Sequence, residues 1–167
     1  MTMLVLSILH IVSGAFWAGA VLFAVGFLDP VTEAMGPAGG AFMQKLMTGT
    51  KLPQVMPASG GLTMLTGFIM YWIVSGHFAA AWLVSAHGIA ISIGALAGIV
   101  AAMAGGVMAK RLRLRMAAIR GGLKGAAPDA EQQAELDTLA AALRTRARAG
   151  AAFILLALCS MAAAHAL

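Results

Sequence analysis

Residues 79–109 read AAAWLVSAHGIAISIGALAGIVAAMAGGVMA and contain no Asp, Glu, Lys or Arg. An uncharged apolar run of about 20 residues or more can cross a bilayer as a helix. Residues 1–28, 52–78 and 149–167 are also free of these charged side chains. All 11 Lys and Arg and all 6 Asp and Glu therefore fall in two segments, 29–51 and 110–148. The chain is predicted to be an integral membrane protein.

The overall composition favours the same class. Charged residues make up 10% of the 167 residues, whereas about a quarter are charged in soluble domains. The mean hydropathy is +0.91 and the isoelectric point is near 10.2. Basic residues that cluster beside apolar helices are typical of cytoplasmic membrane loops, so no nucleic-acid partner is predicted. The single cysteine, Cys159, lies in an apolar segment and cannot form an internal disulfide.

Four membrane-spanning helices are predicted, over residues 3–28, 58–75, 79–109 and 147–167. Asp29-Pro30 is expected to end the first, Pro53 and Pro57 to precede the second, and Gly76-His77 to form a turn before the third. Two spans separate the charged loops, which places both loops on one side, and the positive-inside rule makes that side the cytoplasm. The fold class is an all-α, up-down-up-down four-helix bundle in the inner membrane of a bacterium. Both termini are then non-cytoplasmic.

Residues 1–167 are interpreted as one transmembrane domain, and residues 110–148 as a cytoplasmic helical hairpin between spans three and four. Basic and apolar residues alternate from Lys110 to Arg120. Gly121-Gly122, Gly125 and Pro128 then break the helix, and acidic residues open a second helical stretch at Asp129. A solvated extension of the two spans explains the segment, and a docking surface for a partner or for anionic lipid is the alternative.

The histidines are the candidate functional residues, because polar groups at membrane depth are functional by default. His10, His77, His87 and His165 all fall in the predicted outer half of the membrane. His10 and His87 each lie about eight residues, or about 12 Å, inside the outer end of their helices. Spans one and three are diagonal in such a bundle, so these two imidazoles would face each other at matching depth. Two axial imidazoles on one haem iron need this arrangement, and His10 and His87 are the predicted metal ligands.

A haem also needs a slot between the helices, and small residues follow both histidines at helical spacing. Gly14 and Trp17 lie on the His10 side of span one, and Gly94 and Gly98 lie on the His87 side of span three. These four residues are predicted to contact the cofactor. The alternative is that the glycines only allow close helix packing, which is common in membranes.

The other two histidines have weaker functional signals. His77 is predicted to be a turn residue, and His165 is predicted to cap the end of a helix. No Lys or Arg is available at the outer face, so both are candidate hydrogen-bond donors to haem propionates, or ligands of a second haem. Three or four imidazoles could instead hold copper, with methionine sulfur as additional soft ligands.

The first helix resembles that of the haem-binding bacterial protoporphyrinogen oxidases of the HemJ type. The resemblance lies in Leu9-His10-Ile11-Val12-Ser13 followed by Phe16-Trp17-Ala18-Gly19, a pattern similar also to the copper-resistance D (CopD) membrane domain. Further similar positions are Phe42, Leu46, Met56-Pro57-Ala58, Leu62-Thr63, Gly67 and Trp82-Leu83. The resemblance implies a haem held from His10. This chain has no arginine after Trp-Ala-Gly, where the oxidases have one, and their third-helix lysine is replaced here by His87 or by no charged residue.

The sequence therefore predicts a membrane b-type cytochrome with one haem b, or two, that transfers single electrons near the outer face. The predicted partners are a quinone or a redox protein, together with membrane lipid, and a homo-oligomer is compatible with the sequence. The alternatives are a copper transport or resistance protein, a porphyrinogen-oxidase-like haem enzyme, and a scaffold subunit without a cofactor.

Overall fold

A computed structural model describes residues 1–123 and 126–167, and within these ranges the chain is helical with no strand. The elements in chain order are α1 (Thr2–Phe23), a π-helical segment (Ala24–Leu28), α2 (Asp29–Ala34), α3 (Pro37–Gly49), α4 (Leu52–Val74), α5 (Ala80–Leu83), α6 (Ala86–Gly105), α7 (Val107–Gly122) and α8 (Ala130–Ala164).

Four continuous helical stretches in the described residues are long and apolar enough to cross a membrane. They are Thr2–Ala34, Leu52–Val74, Ala86–Gly122 and Ala130–Ala164. The predictions of an all-helical chain and of four candidate membrane spans are confirmed. The chain has the architecture of a multi-pass membrane protein.

The first helix does not stop at Asp29-Pro30 as the sequence predicts. It passes through the π-helical segment into α2, and the backbone N–H of Asp29 donates to the carbonyl of Ala24, five residues earlier. Proline is well tolerated in the first turn of a helix, where its missing N–H needs no partner. The π turn places Pro30 in the first turn of α2, so the chain keeps its helical course.

The second span also begins earlier than predicted. Helix α4 starts at Leu52 with Pro53 in its first turn, and it includes Pro57. The missing N–H of Pro57 leaves the carbonyl of Pro53 without its usual helical donor, a loss confined to the end of the helix. The predicted third span is divided instead: α5 is a single short turn, and α6 begins after Ser85, whose side chain caps the N–H of Gly88.

The predicted turn at Gly76-His77 is present between α4 and α5. Gly76, His77 and Phe78 have φ angles of 60°, 63° and 67°, a left-handed conformation that is uncommon for the latter two residue types. The side chain of Ser75 is fully buried, and its hydroxyl accepts the N–H of Phe78 at 2.9 Å. This hydrogen bond holds the reversal of the chain.

The membrane helices form two closely packed pairs, α1 with α4 and α6 with α8. In the first pair Trp17 contacts Gly60, and the earlier residue Gly14 contacts the later residue Thr63, so the helices run antiparallel. The second pair is antiparallel as well, because Gly94 meets Met161 while Gly150 lies beside Ala101 and Ala104. Small residues at these positions allow the backbones to approach closely.

Contacts between the two pairs are sparse by comparison. The hydroxyls of Tyr71 on α4 and Ser92 on α6 lie 2.7 Å apart. Farther along, a small core of Ala18, Ala101 and Ile154 joins α1, α6 and α8. The bundle thus consists of two closely packed helix pairs with few contacts between them. We call the interface between the two pairs the seam.

Beyond the membrane segment, α7 packs on the first half of α8 as a helical hairpin. Leu136 and Leu139 are buried in this contact region of α8, and Arg115 pairs with Glu135 across the two helices. Asp129 opens α8 with a capping box that includes Gln132. Helix α7 ends at Gly122, in agreement with the predicted break, whereas Gly125 lies outside the described residues.

The close contact between α6 and α8 predicts a large effect for Gly94→Leu. A Cβ atom at Gly94 would lie 2.9 Å from Met161 and 3.2 Å from the backbone oxygen of Ala157. We expect the free energy of unfolding to fall by about 2 kcal/mol or more, the usual cost of overpacking. Denaturant unfolding in detergent, followed by circular dichroism, measures this change.

The matched control is Gly19→Leu on α1, where a Cβ atom meets nothing within 4 Å. This variant should unfold like the unmodified protein. Equal effects of the two substitutions would contradict the described α6/α8 interface.

Candidate functional site

His10 is half-buried where α1 contacts α4. Its Nδ1 atom lies 3.0 Å from the carbonyl oxygen of Thr63 and 3.4 Å from the hydroxyl of Thr66. A Cβ atom at Gly67 would lie 2.8 Å from Cε1 of the imidazole. Only a residue without a side chain leaves room for the ring, so Gly67 determines where His10 can lie.

A cluster of hydroxyls surrounds this histidine inside the α1/α4 interface. Ser13, Thr63 and Thr66 are only 7%, 6% and 3% exposed. Thr63 lies 2.9 Å from the Ser13 hydroxyl and 2.8 Å from the carbonyl oxygen of Ser59. The hydroxyl of Thr66 donates to the carbonyl of Leu62 at 2.7 Å. The contact of these threonines with His10 was not predicted from the sequence, although their three-residue spacing places both on one face of α4.

His87 belongs to the other helix pair, α6 with α8. It is half-buried in the first turn of α6, and its Nδ1 atom lies 2.9 Å from the carbonyl oxygen of Ala164 on α8. The ring of Trp82 meets the imidazole edge-to-face with centroids 6.0 Å apart. Helix α5, which carries Trp82, therefore fixes one side of the His87 ring.

The hydrogen bonds of the two rings determine their tautomer. A backbone carbonyl can only accept, so Nδ1 of each histidine carries the proton and donates it. The other nitrogen, Nε2, then has a lone pair in the neutral ring. Metal-ligating histidines generally have this arrangement, with one nitrogen on a carbonyl or carboxylate and the other on the metal. Among the described residues neither Nε2 has a hydrogen-bond partner.

Neither Nε2 atom is fully buried. No buried side-chain nitrogen or oxygen lacks a hydrogen-bond partner within residues 1–123 and 126–167. An Nε2 atom without a partner is therefore not a buried atom. Each imidazole can offer its lone pair to a ligand without breaking an existing hydrogen bond.

The four histidines do not form one cluster. His10 contacts α4, His87 contacts α8, and the exposed ring of His77 lies against Trp72 with centroids 4.6 Å apart. His165 is exposed at the C-terminal end of α8, where its N–H bonds to the carbonyl oxygen of Ala162. In the described part of the chain no three His, Cys, Asp or Glu side chains come together. A copper centre with three imidazoles is not assembled there.

The residues predicted to line a haem slot are packed against neighbouring helices. Gly14 faces Thr63, Gly94 faces Met161 and Gly98 faces the end of Met64. The indole of Trp17 lies over Gly60. These contacts correspond to the close-packing role of small residues. Neutral imidazole nitrogen is a donor that haem iron accepts, whereas the glycines form no open slot in this arrangement.

Sequence reasoning did not identify the aromatic cluster beside His87. The ring of Tyr71 meets Trp82 at 5.4 Å and Phe78 at 5.9 Å between centroids. Phe68 joins the cluster through Phe78 at 6.4 Å. Tyrosine and tryptophan favour membrane interfaces, where one side of the ring is apolar and the other is wet. Trp82 connects this cluster to His87.

An open groove of about 370 Å³ runs along the outside of the α1/α4 pair. It is lined by Ile8, Leu9, Val12, Ser13, Phe16, Val55, Ser59 and Leu62. None of the predicted ligands or haem-contacting residues lines this groove. It is an apolar surface on which a lipid chain can rest.

No protein-family model, no curated protein and no solved structure matches this chain. The resemblance to the haem oxidases and to the copper-resistance domain therefore stays a prediction.

The hydroxyl cluster predicts that Thr63→Val lowers stability by about 1 kcal/mol, within the range measured for side-chain hydrogen bonds inside membranes. Valine has the shape of threonine but cannot bond to Ser13. The free energy of unfolding in detergent measures the effect.

Thr48→Val is the matched control. The hydroxyl of Thr48 is exposed and bonds only to the carbonyl oxygen of Gln44 in its own helix, so the change should stay below about 0.5 kcal/mol. A Thr63 variant as stable as this control would show that the cluster does not hold α1 against α4.

Proposed function

We propose that the protein is a membrane-embedded b-type cytochrome that binds one haem b through His10 and His87. The observation that supports this function best is the shared environment of the two imidazoles. Each donates Nδ1–H to a backbone carbonyl of the neighbouring helix and keeps an Nε2 lone pair without a hydrogen-bond partner among the described residues. Two such imidazoles are the axial ligand set of a six-coordinate haem.

The division of the bundle supports the same proposal. His10 belongs to the α1/α4 pair and His87 to the α6/α8 pair, and the seam between the pairs is thin. His10 and His87 would hold a planar cofactor in this seam, with one ligand from each pair. Its entry requires the pairs to separate locally, and the contacts displaced include the flexible side chain of Met64 on Gly98.

The proposed orientation follows from charge. All Lys and Arg lie in the segments 29–51 and 110–148, which the positive-inside rule assigns to the cytoplasm. The bundle is then up-down-up-down, with both termini and the turn at His77 on the outer side. The inner membrane of a bacterium fits a chain of this design. The haem would lie near the outer face, within reach of a quinone or a redox protein.

Bound haem b supplies exchange of single electrons between its ferric and ferrous states. The carbonyls of Thr63 and Ala164 accept Nδ1–H, which fixes the orientation of both rings and increases the basicity of their Nε2 atoms. The haem potential depends on such ligands, on burial and on nearby hydrogen bonds. His77 and His165 are the available donors to propionates at this end, and the remaining candidates for a second haem.

Substitutions of the four histidines are expected to have different effects on haem content. His10→Ala and His87→Ala should each abolish the low-spin spectrum of reduced minus oxidised protein, because each removes an axial ligand. His77→Ala and His165→Ala are the matched controls and should keep one haem by pyridine haemochrome assay. Half the haem content in these two controls would assign them to a second haem.

The glycine variants of the ligands separate loss of a ligand from loss of folding. Imidazole added to His10→Gly or His87→Gly should restore the low-spin bands, since the free ring takes the vacant position. A colourless unmodified protein, or His10→Ala and His87→Ala variants with full low-spin spectra, would refute the cytochrome proposal.

Gly67→Ala tests the position of His10 while the ligand stays in the chain. The added Cβ would crowd Cε1 of the imidazole at 2.8 Å, so the ring must turn away from Thr63. We expect lower haem retention during dialysis and a shifted midpoint potential. Gly61→Ala on the same helix meets nothing within 4 Å and should behave like the unmodified protein. Identical haem properties of the two variants would contradict the role given to Gly67.

A further inference from the structure

A group of basic side chains lies where α6 passes into α7. Lys110, Arg111 and Arg113 are exposed in the first two turns of α7. Arg146 of α8 joins them, because its guanidinium donates to the carbonyl oxygen of Met108 at 2.6 Å. We name these four residues the α7 basic patch. Lys110 and Arg113 share one face of α7 because they are three residues apart, and Arg111 lies on another face. Arg146 adds a fourth cation on the adjacent helix.

The patch is not neutralised by acidic neighbours. The ion pairs in the described residues are Arg115 with Glu135 and Arg144 with Glu33. Asp29 lies close enough to Arg144 and Arg148 to interact with both charges. Asp29 and Glu33 of α2 therefore interact with Arg144 and Arg148. The acidic residues of the hairpin lie between positions 129 and 137. None of them forms an ion pair with the patch.

The height of the patch matches the headgroup layer of a bilayer. Measured along α6 and α7, Lys110 is about 36 Å from Ala86, the first residue of α6. Measured along α8, Arg146 is about 27 Å from Ala164, the last residue of α8. The hydrocarbon core of a bilayer is about 30 Å thick. On this scale the four cations lie between the edge of the hydrocarbon and about 10 Å beyond it. The phosphates of lipids occupy this level.

We propose that the α7 basic patch binds the phosphate headgroup of an anionic phospholipid in the adjacent leaflet. Phosphate accepts hydrogen bonds from several arginine and lysine donors at once, and basic residues beside membrane helices attract anionic lipids. The acidic residues nearer the hairpin tip, Asp129, Glu131, Glu135 and Asp137, are unfavourable for a polyanion that approaches from the solvent. A lipid headgroup reaches the patch from the side of the membrane and avoids them.

The test compares two double variants of α7 that lose the same charge. Lys110→Gln with Arg113→Gln removes the two patch cations on one face of α7, whereas Arg115→Gln with Arg120→Gln removes two cations nearer the tip. Purified full-length protein is mixed with detergent micelles that contain phosphatidylglycerol or phosphatidylcholine. Retained lipid is counted by native mass spectrometry, and the lipid-dependent shift in Tm is measured in parallel.

The unmodified protein and the tip variant should retain phosphatidylglycerol in preference to phosphatidylcholine. The patch variant should bind phosphatidylglycerol about tenfold more weakly or worse. Lys110→Arg with Arg113→Lys keeps the charge and should retain most of the preference, which separates a charge effect from a folding defect.

Three results would overturn the proposal. Equal losses in the patch and tip variants would mean that only net charge matters. The absence of a preference for phosphatidylglycerol in the unmodified protein would exclude a lipid site. Inorganic phosphate that raises Tm as much as phosphatidylglycerol would assign the patch to a soluble anion instead.

Discussion

The hydrocarbon core of a membrane offers no water to polar groups, so each of them needs a partner inside the protein. Helices satisfy the backbone, and the side chains within the bundle follow the same requirement. Thr63 and Thr66 direct their hydroxyls to carbonyls one turn earlier in α4. The two half-buried imidazoles reach carbonyls of the neighbouring helix. These inter-helix hydrogen bonds link α1 to α4 and α6 to α8, and they orient the imidazoles at the same time.

Close approach of small residues completes the two pairs. Lipid is as apolar as leucine, so helices in a membrane associate through packing and hydrogen bonds rather than through the hydrophobic effect. The buried face of α6 consists of Gly88, Gly94, Ala97, Gly98, Ala101 and Ala104. The large side chains of α1, such as Leu4, Ile11 and Val12, remain exposed to lipid. Each pair is therefore tight inside, while the seam between the pairs is held by few contacts.

The distribution of charge was sufficient to predict four helical spans, and the Gly76-His77 pair was sufficient to predict the turn. Proline was a poor guide to helix ends, because the π-helical segment before Asp29 and the early position of Pro57 accommodate residues that normally stop a helix. The four candidate histidines could be named from the sequence. Which carbonyl accepts each Nδ1–H could not, because this depends on the rotation and register of helices far apart in the chain. For the same reason the sequence could not show whether the glycines line an open slot or pack against another helix, because this depends on their neighbours on other helices.

The tautomer of the histidines connects the fold to the proposed chemistry. A histidine with only a structural role needs one hydrogen bond, and the bond from Nδ1 to a carbonyl provides it. The same bond leaves Nε2 as a ligand, so the structural role and the ligand role are compatible in one side chain. Because His10 and His87 belong to different helix pairs and neither Nε2 atom has a hydrogen-bond partner among the described residues, a cofactor that binds both would link the pairs across their weakest interface. Haem would then act as a structural element of the bundle as well as its redox centre.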